Sequence, residues 1–193
     1  MKYFINDWEN DCFILQSYLD QVEFYSGSDR RRNQFAKVKH TKGTGSMLYG
    51  STWKSFLKYN INKEKVYRTP SKVFKGQWNT KCVDMYPELD LIFREFGELY
   101  FPEFAWSQVQ MNKNYQCPPH FDSQNIGESI LLTLGEFTEG KTIVELGDNA
   151  HIHYNSHYRL CKFDGSKYKH WTQPFEGTRY ALVFFNNSKL IKI

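Results

Sequence analysis

No stretch of the 193 residues is apolar for long enough to span a bilayer, which as a helix takes about 20 predominantly apolar residues. Asp7, Glu9 and Asp11 break up the N-terminal region, so no signal peptide is expected there and an intracellular protein, of cytoplasm or nucleus, is. Cysteine is scarce: Cys12, Cys82, Cys117 and Cys161 stand far apart and form no Cys-x-x-Cys pair. Zinc-ribbon spacing and a disulfide framework are both excluded by that pattern. No phosphate-binding glycine loop, dinucleotide fingerprint or Gly-x-Ser-x-Gly elbow occurs. Neither an internal repeat nor a low-complexity tract is present. Charge of one sign is modest, with 25 Lys+Arg against 21 Asp+Glu for a net +4. Such a balance is compatible with a nucleic-acid partner without arguing for one.

Aromatic residues, in contrast, are abundant at 18%. They suit β-rich structure and also supply stacking surfaces for flat substrates; most are assigned here to the core. The length fits one domain, 1–193, with a substantial core. A first helix is expected from a cap at Asp7 or Asn10 to about Val22, with Phe13 or Leu15, Tyr18, Leu19 and Val22 on its apolar stripe. Between Arg30 and Lys42 the chain is basic, through Arg30, Arg31, Arg32, Lys37, Lys39 and Lys42, and it ends in Gly43-Thr-Gly-Ser46, read as a turn or flexible loop. Lys54, Lys58, Lys63, Lys65 and Arg68 prolong the positive bias. Two readings stay open, an arm that contacts phosphates and a solvated loop. Residues 70–83 read as irregular or short-strand structure. A second helix follows Pro87, with Leu89, Ile92, Phe93 and Phe96 at helical spacing and Gly97 and Pro102 marking its end.

Past residue 104 short strands recur at 104–112, 129–134, 141–146, 151–154, 158–163, 178–186 and 189–193, the rhythm of a sandwich or barrel. The expected class is mainly β with flanking helices (α+β): residues 1–103 support a β core formed by 104–193. Within that core Pro118-Pro119-His120-Phe121-Asp122 stands out. Extended backbone throws alternate side chains to one face, so His120 and Asp122 point together and Phe121 away. His170 can add a third ligand, and two histidines with one carboxylate form the facial triad of non-haem Fe(II) oxygenases. Downstream, Pro174 and Gly177 make a turn before Arg179, which opens an apolar strand and shares a face with Ala181, Val183 and Phe185. A buried arginine there needs a partner, and a carboxylate fits the guanidinium fork. His151, His153 and His157 also cluster and are read as surface histidines; Cys117 is read as a small buried thiol.

In this order, His120/Asp122, His170 and Arg179 resemble the 2-oxoglutarate/Fe(II)-dependent dioxygenase superfamily. Lys162-Phe-Asp-Gly165, Pro174-Phe-Glu-Gly177-Thr-Arg179-Tyr180 and Asp122-Ser-Gln-Asn125-Ile-Gly127 are most similar to its TET/JBP branch, which oxidises the methyl group of 5-methylcytosine or thymine in nucleic acid. The resemblance implies a double-stranded β-helix (jelly-roll) core, with Fe(II) held by His120, Asp122 and His170. It further implies 2-oxoglutarate paired with Arg179 and hydrogen-bonded by Tyr115, O2 as co-substrate, and a nucleic-acid base held by Asn125, Phe185 and Asn187. Two departures stand against the branch: Gly140-Lys141 replaces a pair of glycines, and Phe185 and Asn187 replace a tyrosine and a histidine. A protein side-chain hydroxylase and a metal-free β-helix binding module remain the alternatives. No membrane partner is expected.

Overall fold

The computed structural model describes residues 2–24, 44–55, 57–59, 65–67 and 75–187. In chain order these hold α1 (Trp8–Asp20), β1 (Gly45–Ser55), β2 (Leu57–Tyr59), β3 (Lys65–Tyr67), β4 (Lys75–Asn79), α2 (Lys81–Met85) and α3 (Glu88–Tyr100). There follow β5 (Gln108–Lys113), β6 (Asn125–Leu134), β7 (Phe137–Glu139), β8 (Thr142–Gly147) and β9 (Ala150–Tyr154). The chain ends through β10 (Cys161–Phe163), β11 (Lys169–Thr172), β12 (Phe175–Gly177) and β13 (Tyr180–Asn187). Among the described residues no helix is long and apolar enough to cross a membrane. The basic residues Arg30–Lys42, Lys63 and Arg68, and the expected last strand at 189–193, lie outside the described residues.

Two antiparallel sheets carry the architecture. The larger has the order β10-β6-β13-β5-β1-β4, the smaller β11-β8-β9, and β7 pairs with β12 as a separate ribbon. From β5 the chain passes to a bridge at His120 beside β11, returns as β6, crosses to β8 and β9, returns as β10, crosses to β11 and returns as β13. This alternation between facing sheets is the double-stranded β-helix, as expected.

Along β13 the side chains divide cleanly. Tyr180, Leu182 and Phe184 face the helical layer and join its core, while Ala181, Val183 and Phe185, with Arg179 just before the strand, line a cavity between the sheets. The helical layer is tied to the sheet by rings: Phe93 meets Tyr49 at 5.4 Å and Phe184 at 5.9 Å between centroids, both edge-on. Asp7 caps α1, accepting a 3.0 Å hydrogen bond from the backbone of Asn10. The buried stripe of α1 is Cys12, Leu15 and Leu19; Phe13 is exposed.

Several boundaries differ from the sequence reading. Gly97 does not end α3, which runs on to Tyr100. Its missing side chain instead makes room, because a Cβ there would lie 3.0 Å from the Trp106 indole nitrogen. The expected turn at Gly43–Ser46 is in part the start of β1, which pairs with β5 through Gly45–Gly50 and with β4 through Ser51–Ser55. Glycine, serine and threonine disguise it, but Met47 and Tyr49 are buried in strand alternation. Within residues 70–83 the short strand expected is β4, while the start of a short helix, α2, was not expected. Residues before 104 therefore supply two strands of the larger sheet.

Candidate metal centre

His120 lies on the link between β5 and β6, directly after two prolines that hold the chain extended. Its backbone exchanges two hydrogen bonds with His170 on β11, N–H to O at 3.0 Å in each direction. The rings consequently stand 4.2 Å apart. The Asp122 N–H donates to the Gly165 carbonyl at 2.8 Å, bringing the carboxylate to the same place. Nε2 of His120 is 3.4 Å from Oδ1 of Asp122, and Nε2 of His170 is 3.5 Å from Oδ2. All three ligand atoms lie within 4.8 Å of one another, a spacing that can hold one metal ion.

The tautomers follow from the neighbours. Nδ1 of His120 is 2.8 Å from the Pro118 carbonyl and Nδ1 of His170 is 3.1 Å from the Tyr168 carbonyl. A carbonyl can only accept, so both Nδ1 atoms carry a proton and both Nε2 atoms are turned towards the carboxylate. Burial alone would lower the His120 pKa, but hydrogen bonds to Asp122 and Cys117 outweigh it and push it up to about 10. Burial would raise Asp122; hydrogen bonds from His120 and His170 instead hold it well below the usual carboxylate range. The metal-free site thus keeps a proton where a cation would sit. That is the electrostatic profile of a cation site.

Arg179 lies on the wall of the same cavity, whose volume is about 410 Å³. It is 2% exposed, and its Nε and Nη2 have no hydrogen-bond partner. Burial lowers its pKa to about 10, which leaves it charged at neutral pH. The guanidinium is 5.5 Å from the ring centres of both Phe137 on β7 and Phe175 on β12. Asn114 fixes the backbone below it, with Asn114 Oδ1 accepting from the Arg179 N–H and the Arg179 carbonyl accepting from the Asn114 N–H, both at 2.8 Å. Gly140 leaves the space, since a Cβ there would come within 3.2 Å of Arg179 Cδ and Nε.

Of the other expected site residues, Tyr115 and Phe185 are both buried and line the cavity, as does Asn125. The Nδ2 of Asn125 donates to Asp122 Oδ2 at 3.2 Å. Asn187 is off the cavity lining: a register shift between Phe184 and Asn186 intervenes, and its Nδ2 donates to Gln108 Oε1 at 3.0 Å. Cys117 was expected as a buried thiol but is only partly buried, with Sγ 3.5 Å from His120 Nδ1 on the cavity wall. His151 and His153 are exposed, as expected, while His157 is partly buried with its Nε2 2.9 Å from the Gly135 carbonyl. Among the described residues none of these three joins a metal-binding group.

Sequence reasoning passed over Asn114, the room that Gly165 leaves beside Asp122 and His170, and the polar wall formed by Gln110 and Asn112 on β5. A signal existed for the last. Gln108, Gln110 and Asn112 recur every second residue, and polar residues on one face of a buried strand mark a polar-lined cavity.

No protein-family model matches the chain, and no curated protein sequence matches it. Solved structures do resemble it. A prolyl hydroxylase from Trichoplax adhaerens, in complex with a hypoxia inducible factor oxygen degradation domain peptide fragment, aligns over 100% of this chain and 86% of its own at 12% identity and a TM-score of 0.48. NgTET1 in complex with 5mC DNA aligns over 76% of this chain at 18% identity and a TM-score of 0.47, and the match spans 61% of the NgTET1 chain. A Pseudomonas putida prolyl-4-hydroxylase aligns over 97% of this chain and 90% of its own at 13% identity and a TM-score of 0.43.

Proposed function

We propose that this chain is an Fe(II)- and 2-oxoglutarate-dependent dioxygenase that hydroxylates a substrate C–H bond. The observation that carries the reading is the pairing, in one cavity, of a two-histidine, one-carboxylate ligand set with a buried guanidinium that has no anionic partner. An unpaired buried cation is costly, and a dicarboxylate whose far end reaches Arg179 offsets that cost. His120, Asp122 and His170 would hold the ion, and a three-residue ligand set would leave positions for co-substrate and oxygen. Bound iron supplies oxygen activation coupled to conversion of 2-oxoglutarate to succinate and CO2. The chain's own contribution is placement. Arg179 pairs with the far carboxylate, Phe137 and Phe175 hold the guanidinium, and Tyr115 offers a hydrogen bond to the co-substrate. Leu131, Phe163 and Val183 present apolar surface that excludes water from the reacting centre.

For the substrate we propose the methyl group of a 5-methylpyrimidine in nucleic acid. Phe185 on the cavity wall offers a stacking face, and the basic residues between Arg30 and Arg68 supply phosphate contacts. A second reading, hydroxylation of a protein side chain, is favoured by one observation: the Asn125 and Asn187 amides are already engaged with Asp122 and Gln108. The test is succinate release with Fe(II) and 2-oxoglutarate across 5-methylcytosine DNA, thymine DNA, RNA and peptides, with mass spectrometry of digested nucleosides. Oxidised nucleosides are expected. Succinate release with peptides alone would replace the nucleic-acid reading by the protein hydroxylase, and no succinate with any substrate would overturn the dioxygenase.

A further inference from the structure

We infer that Asn125 is a positioning residue for the metal-binding carboxylate, holding Oδ2 of Asp122 so that Oδ1 is the oxygen presented to the ion. The inference rests on the metal site of the proposed function and is independent of the substrate. The last torsion of an aspartate is broad and roughly two-fold, so the side chain alone does not choose an oxygen. Nor do the histidines, because Oδ1 faces one Nε2 at 3.4 Å and Oδ2 the other at 3.5 Å. The symmetry is broken by Asn125, whose Nδ2 donates to Oδ2 at 3.2 Å. An oxygen that already accepts an N–H has that proton directed at one of its lone pairs. A cation is then better met at Oδ1.

Asn125 is itself held. Its backbone N–H donates to the Asp122 carbonyl at 2.9 Å, closing a turn, and it opens β6 in register with Asn187 of β13. The same Nδ2 lies 3.5 Å from Oγ of Ser129, which is fully buried. Both amide hydrogens therefore have acceptors within the chain.

Gly165 completes the arrangement by leaving room. A Cβ there would lie 2.9 Å from Asp122 Oδ2 and 3.0 Å from His170 Cε1. The φ of Gly165 is not positive, so glycine is required by the approach of the carboxylate rather than by the backbone. Asn125 had been expected to touch a substrate base; the geometry points instead to the carboxylate.

The experiment uses the full chain without co-substrate or substrate, and follows Mn(II) binding by titration calorimetry and Co(II) binding by its ligand-field absorption. Asn125→Leu keeps the size and removes the donor; Asn125→Ala removes the amide without adding bulk. Outer-shell partners of metal ligands typically contribute roughly 10–100-fold in affinity, and a loss of Mn(II) affinity in that range is expected for both. The Co(II) spectrum should also change shape as the freed carboxylate turns. Circular dichroism and melting identify a variant that has failed to fold, and the other variant then decides. Mn(II) affinity within about twofold of wild type, with an unchanged Co(II) spectrum, overturns the inference. So does unchanged metal affinity combined with a raised KM for substrate, the signature of a substrate contact. Failure of the functional reading is separately visible as a wild type that binds Mn(II) but releases no succinate.

Discussion

His120 and His170 hold each other by the backbone: each N–H donates to the other's carbonyl at 3.0 Å. Two candidate ligands remote in sequence thus share one antiparallel bridge, and the candidate metal site is part of the sheet rather than an attachment to it. Removing the imidazole of His170 leaves that bridge intact. His170→Ala is expected to fold, to lose metal affinity by more than the roughly 10–100-fold attached to outer-shell partners, and to release no succinate. Calorimetry with Mn(II) checks this, with His153→Ala as a control that keeps full affinity; loss in the control and not in His170→Ala would reassign the third ligand.

Arg179 makes two opposite predictions. Arg179→Met is expected to weaken 2-oxoglutarate binding by about 2–5 kcal/mol, the usual cost of truncating one partner of a buried charge pair. In the free protein the same change removes an unpaired buried cation and is expected to raise the melting temperature. Co-substrate titration and thermal melting read the two effects on one sample. Unchanged 2-oxoglutarate affinity removes Arg179 from the role.

The charges at the centre give the stability of the metal-free protein and its affinity for metal opposite responses to pH. The folded-state pKa of His120 is raised to about 10, so its stabilisation of the metal-free protein is complete below the unfolded value of about 6.5 and is lost as pH rises through about 10. The folded-state pKa of Asp122 is depressed, so its contribution is present above about 3.9 and is lost as pH falls. Metal binding must displace the proton on His120. Between about 6.5 and 10 the metal-free protein should therefore lose stability as pH rises while Mn(II) affinity increases. Calorimetry at pH 7 in buffers of differing ionisation heat should detect proton release on binding. Absence of released protons contradicts a protonated His120.

Phe93 carries the joint between helix and sheet. It is fully buried on α3 and lies edge-on to both Tyr49 of β1 and Phe184 of β13. Phe93→Ala is expected to cost about 3–5 kcal/mol of folding stability, read from the denaturant midpoint at unchanged m-value. A loss below about 1 kcal/mol would mean that α3 is not held through this ring.

The grouping of His120, Asp122 and His170, and the inward direction of Arg179, were legible in the sequence because each lies in a strand-like context where period-two alternation fixes its direction. It also exposed α3, whose apolar residues keep helical spacing until Gly97. Other features had no local signature. β1 is rich in glycine, serine and threonine, and it is a strand because Gly45–Gly50 pair with β5 and Ser51–Ser55 with β4. β7, β11 and β12 are three or four residues long, too short for periodicity to register. The link from Asn125 to Asp122, the slot at Gly165 and the approach of Cys117 to His120 depend on how loops close in space, which spacing along the chain does not encode. Asn187 shows the converse failure. Simple alternation places it with Phe185, and the register shift between Phe184 and Asn186 separates the two.

Both imidazoles are steered by main-chain carbonyls, those of Pro118 and Tyr168. Every residue has a carbonyl, so no side-chain replacement at these two positions can delete the acceptor. The orientation of the histidines is in this sense written into the path of the chain and indifferent to its lettering. Drift at Pro118 or Tyr168 can shift the acceptor by bending the backbone, but it cannot remove it. The site's genetic vulnerability is concentrated instead on the three ligands and on the few side chains, or absences of one, that contact them. A saturation-mutagenesis map of the centre would show tolerant positions beside intransigent ones, with the boundary between them drawn by which oxygen, main-chain or side-chain, does the holding.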